Sequence, residues 1–97
     1  MIYLDEIAKA IRKAVPQDAM PDGDTTLLFR IYAVLLLAKG EQVTRADVHN
    51  AWVVWMAGQG DDHESLVPFG DLDADVQAED SPYVRAIHTV ARSLGGD

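Results

Sequence analysis

VTRADVHNAWVVWM, residues 43–56, carries the clearest structural signature in the chain. Thr44 followed three residues later by Asp47 reads as an acidic variant of the capping box, in which hydroxyl and carboxylate each accept a backbone N–H at a helix start. Val43 and Val48 stand at the two positions of a hydrophobic staple, which fixes how the chain enters that helix. Val48, Ala51, Trp52, Trp55 and Met56 then form one apolar stripe at helical spacing, ended by Gly58-Gln59-Gly60.

Reading outward, the same helical period recurs. Leu4, Ile7, Ala8, Ile11 and Val15 alternate with charged residues as an amphipathic first helix, closed by Pro16. Gln17 to Asp24 reads as a connecting loop with Asp24 as the next N-cap. A second helix is expected from about Thr25 to Lys39. Its Leu27, Leu28, Ile31, Val34, Leu35, Leu36 and Leu37 cover nearly the whole circumference, so it is expected at the buried centre, with Arg30 and Lys39 wet and Gly40 as the stop. Beyond the third helix, Leu66-Val67-Pro68-Phe69 is expected as an extended strip docked on the third and last helices, because the residue before a proline avoids helical geometry. Asp73 can cap one turn through Ala74 to Ala78. Ser81-Pro82 reads as N-cap and first helical residue of a last helix to Leu94, with Val84, Ile87, Val90, Ala91 and Leu94 inward and Gly95-Gly96 at its end. No segment sustains period-two alternation. The expected fold is therefore a single all-α domain over residues 1–97: four helices, one short helical turn and the extended strip.

Composition narrows the function. The 97 residues are 48% hydrophobic and 25% charged, in the range of chains that fold. With no cysteine there is no disulfide, thiolate nucleophile or Cys-ligated metal, and a cytosolic home is expected. The N-terminus places acids where a signal peptide needs bases, and no apolar run approaches a membrane span. Net charge is −8, and between Arg45 and Arg85 nine acids stand without one Lys or Arg. Phosphate backbones are bound by clustered bases, so direct nucleic-acid binding is not expected. The acids form a solvating face, a surface for a basic partner, or an imitation of nucleic acid that inhibits a host protein.

Catalytic patterns are missing. His49, His63 and His88 show no pairing at i, i+4 and no His-Glu-x-x-His, while Asp61-Asp62-His63-Glu64 lacks the alternation and central Gly of a calcium loop. The serines occupy no nucleophile elbow, and the glycines match no phosphate loop. Neither enzyme activity nor a cofactor or metal is expected. A core this small also makes homodimer formation through an apolar face an easy gain.

His49-Asn50-Ala51-Trp52, a Gly-containing loop, His63-Glu64-Ser65-Leu66-Val67-Pro68-Phe69-Gly70-Asp71-Leu72 and Glu79-Asp80 follow one another in an order that resembles the ryanodine-receptor repeat domain. The resemblance covers residues 43–94 and leaves a helical pair, 1–42, outside it. The chain as a whole resembles small proteins encoded by phages of mycobacteria and related actinobacteria. Such repeats are cytosolic modules without enzymatic activity, and the resemblance implies either partner binding or sensing of ligands such as nucleotides. This chain departs from the repeat in its short loop, Gly58 to Asp62, and in Phe69 where Tyr is commoner.

Two functions are thus expected. One is a non-catalytic phage accessory protein in the host cytoplasm, whose acidic face at Asp61, Asp62, Asp71, Asp73 and Asp75 meets a basic host or phage protein. The other is a small-ligand module with a pocket at His49, Trp52, His63, Pro68 and Phe69. A polar, convergent cavity beside Trp52 and His63 favours the second.

Overall fold

The Thr44 cap forms as its spacing predicts. In the computed structural model, which describes residues 2–60 and 63–95, the Asp47 amide donates to Thr44 Oγ1 at 3.2 Å and the Thr44 amide donates to Asp47 Oδ2 at 2.9 Å. Both staple residues, Val43 and Val48, lie in the core. The helix they open, α3, runs Arg45–Gly58. Before it come α1 (Tyr3–Ala14) and α2 (Thr26–Lys39), and after it a short α4 (Ala74–Ala78) and α5 (Ser81–Gly95). Among the described residues there is no strand, and three 3-10 turns complete the elements, so the fold is all-α.

The four long helices share one core. α1 packs on α2 and α5, and α2 lies between α1 and α3 while also touching α5. Ile11, Leu28, Phe29, Tyr32, Val48 and Ile87 are the most deeply buried large side chains. Polar ties sit at the rim. Asp5 of α1 accepts from Arg30 of α2 at 2.7 and 3.1 Å, Lys39 reaches Asp47 at 2.9 Å, and the His88 ring of α5 holds the Val43 carbonyl at 2.8 Å. Gly40, with φ +55° and ψ −125°, stops α2 in a conformation that side chains avoid.

Several expectations change. The second helix is central but not buried all round: Leu27, Val34 and Leu37 are each about half exposed. Three helices cover only part of its surface, and an apolar circumference does not say which part. On α5 Ile87 and Val90 are buried and Val84 and Ala91 pack against the core as expected, Tyr83 and Ala86 join them, and Leu94 is exposed. That helix begins at Ser81 itself, with the Val84 amide donating to the Asp80 carbonyl, so Ser81 is not its cap. Asp73 does precede α4, but without a side-chain cap bond. The extended strip is shorter than expected, because Phe69 opens a 3-10 turn, Phe69–Asp71. Its Val67 and Pro68 side chains are exposed. The strip is tied to α3 in two ways: His49 Nε2 donates to the Val67 carbonyl at 2.6 Å, and the Phe69 ring packs beside His49 and Arg45. Gly96 lies outside the described residues.

Candidate binding cavity

Trp52 sits on α3 one position past the buried stripe centre and is only half buried, whereas Trp55 is 6% exposed and belongs to the core. Beside Trp52 opens a cavity of about 460 Å³, within the usual range for small-molecule sites. Asp18, Ala19 and Pro21 border it from the connection after α1, and Tyr32 from α2. His49 and Trp52 come from α3, and His63 and Ser65 from the following loop. Val76, Glu79, Asp80, Pro82 and Tyr83 close it from α4 and α5.

An aromatic row forms one wall. His49 stacks on Trp52 with ring centroids 5.7 Å apart at 24°, and His63 meets Trp52 edge-on at 5.1 Å and 85°. Each imidazole has its tautomer set by a backbone partner. A carbonyl only accepts, so His49 carries its proton on Nε2 toward Val67; the Ser65 amide donates to His63 Nδ1 at 3.0 Å, which places the neutral ring's proton on Nε2. Tyr83 donates its hydroxyl to the Ala19 carbonyl, anchoring the turn Gln17–Ala19 to α5.

Tyr32 is different. It is 1% exposed, yet its hydroxyl takes part in no hydrogen bond among the described residues, and it is not sealed from the cavity. Buried tyrosine hydroxyls usually have a partner. Burial, and then the neighbouring Tyr83 and Asp80, push its ionisation far above the ordinary tyrosine range, so the group is a neutral phenol. Asp80, in the link between α4 and α5, is half buried with no hydrogen bond or ion pair to its carboxylate among the described residues. Burial pushes its pKa up to about 6; Glu79 adds to the rise, while His49 and Arg45 oppose it. With Asp18 and Glu79 it makes three carboxylates around a cavity that no Lys or Arg lines. The nearby Arg45 is turned to the Phe69 ring, 5.7 Å from its centroid.

Of the residues expected at a pocket, His49, Trp52 and His63 line this cavity, and Pro68 and Phe69 do not. Phe69 packs beside the His49 ring, with centroids 6.1 Å apart, without lining the opening. The opening therefore lies not between the Trp helix and the strip but between that helix, Tyr32 and the start of α5. Asp18, Tyr32, Asp80 and Tyr83 went unrecognised as site residues. The one signal for Tyr32 was a hydroxyl within the apolar run of α2 between Arg30 and Lys39. On the acidic face, Asp71, Asp73 and Asp75 are exposed along the stretch from the 3-10 turn into α4, and Asp61 and Asp62 lie outside the described residues.

Residues 2–92 match the family described as Domain of unknown function (DUF7701). The chain belongs to that family. No curated protein and no solved structure matches it. The family match spans every residue of the cavity wall, from Asp18 to Tyr83. No helix among the described residues is long and apolar enough to cross a membrane.

Proposed function

We propose that this protein is a non-enzymatic binding module that receives a compact group in the cavity beside Trp52. The observation that carries the reading is the Tyr32 hydroxyl: it ends a buried side chain, has no hydrogen-bond partner among the described residues, and opens on a cavity of ligand size next to an aromatic wall. The resemblance to ryanodine-receptor repeats supports a role without catalysis. Thermal shift of the wild type against a panel of nucleotides, amino acids, amines and sugars tests the proposal. Ligands that raise the melting temperature of the wild type but not of Trp52→Ala support the cavity. A panel without such ligands contradicts it, and turnover of any of them by the pure protein contradicts the absence of catalysis.

A second reading rests on a separate observation, the exposure of Asp71, Asp73 and Asp75 in a stretch without bases. On this reading a basic host or phage protein meets that face in the host cytoplasm, the chain acting as a phage accessory protein. Rim charges steer association and are screened beyond about 8–10 Å at physiological salt, so such a complex should weaken as salt rises. Capture with the wild type and with the three aspartates changed to asparagine, at low and high salt, separates the outcomes: equal retention throughout removes the acidic face from the mechanism.

A further inference from the structure

The cavity's chemistry goes further than its shape. An anionic ligand such as a phosphate would meet three carboxylates and no lining Lys or Arg. A wholly apolar ligand would bury Asp80 and the Tyr32 hydroxyl without satisfying either. Among the described residues no three imidazole or carboxylate groups converge closely enough to hold a metal ion. What remains unmatched is a charge on Asp80, a hydroxyl on Tyr32 that can accept or donate, and the half-buried indole of Trp52 beside them.

We propose that the cavity binds the head of an organic cation, a guanidinium or primary ammonium group, with Asp80 as its counter-ion, Tyr32 as a hydrogen-bond partner and Trp52 as the aromatic wall. The inference rests on the cavity reading above and names its ligand class. A cation supplies N–H donors for the carboxylate, and charge-assisted bonds of this kind are the stronger ones. Aromatic faces attract such cations, most of all the indole. The half-buried setting screens the pair less than open surface would. Two sources carry this chemistry, a free amine or guanidine and the Lys or Arg side chain of a partner protein.

The experiment is an NMR titration that follows the Trp52 indole N–H, distinguished from that of Trp55 by its loss in Trp52→Phe. The probes are butylguanidinium, butylammonium, their neutral analogue butylurea, butyrate, and the capped tripeptide acetyl-Gly-Arg-Gly-amide. Both cations should move the Trp52 signal saturably, and butylurea should bind at least about tenfold more weakly, the loss of one charge-assisted contact. Asp80→Asn should bring the cations down to the butylurea level. Tyr32→Phe should weaken them a few-fold with the fold intact by circular dichroism. Tighter binding of the tripeptide than of butylguanidinium assigns the cation to a protein side chain, and equal or weaker binding assigns it to a free molecule. If butylurea or butyrate binds as well as the cations, the charge inference is overturned and the cavity reading stands. If neither cation moves Trp52, the inference is also overturned, and the cavity reading falls with it only when the wider thermal-shift panel likewise yields no Trp52-dependent ligand.

Discussion

Asp80 and Tyr32 show how much of this site is decided by single groups without a hydrogen-bond partner among the described residues. The Asp80 pKa is raised from its ordinary 3.8 to about 6, so between those values the folded chain holds a proton that the unfolded chain has released. The folded state's advantage from that proton is fully present below about pH 3.8 and is lost as pH rises to about 6. Asp80→Asn should therefore raise the melting temperature at pH 8 and change it little at pH 3.5, a difference that thermal denaturation at the two values reads directly. A lower melting temperature at pH 8 would mean that the carboxylate has a stabilising partner. Tyr32→Phe should leave stability unchanged or slightly higher, since it removes the hydroxyl of a buried side chain without breaking a hydrogen bond among the described residues. Neither residue was legible as a site from the sequence. A Tyr at core spacing reads as core, and an acid among nine acids reads as solvated surface; only the packing of α2 against α5 shows that the two face one cavity.

Local signals were most legible where the physics is itself local. The Thr44–Asp47 box, the Val43–Val48 staple and the Gly40 stop each depend on residues within a turn of one another, and all three form. Thr44→Ala should cost about 0.5–2 kcal/mol, because the Asp47 amide loses its acceptor. Gly40→Ala should cost about 1–3 kcal/mol from backbone strain alone, as the added Cβ would meet nothing within 4 Å. Denaturant midpoints at unchanged slope measure both. Which side of an element faces the core was harder to read. α1 has distinct apolar and charged sides and its inward face agrees with the expectation, but α2 is apolar around most of its circumference, and the exposure of Leu27, Val34 and Leu37 depends on where α1, α3 and α5 pack. Changing Leu27 and Val34 each to Gln should accordingly alter stability by only about 0.5 kcal/mol or less, the range of ordinary surface positions. A much larger loss would restore α2 to the fully buried role that its composition implied.

At the scale of the whole molecule, the two tryptophans divide the labour between folding and binding. Trp55 completes the core and Trp52 forms the edge of the cavity, so Trp55→Ala should cost about 3–5 kcal/mol while Trp52→Ala costs distinctly less and removes ligand response instead. The all-α architecture follows from helical periodicity repeated along the chain. The cavity does not, because its wall gathers residues from Asp18 to Tyr83 that share no local pattern. Its acidity follows from the long stretch without bases, which supplies Glu79 and Asp80, and from Asp18 before it. The most direct measurement is a crystal structure of the protein soaked with butylguanidinium. The account predicts the guanidinium in the cavity, within hydrogen-bond distance of the Asp80 carboxylate and the Tyr32 hydroxyl and against the Trp52 ring. A cavity closed by the Trp52 side chain, or butylguanidinium bound only elsewhere on the surface, would contradict it.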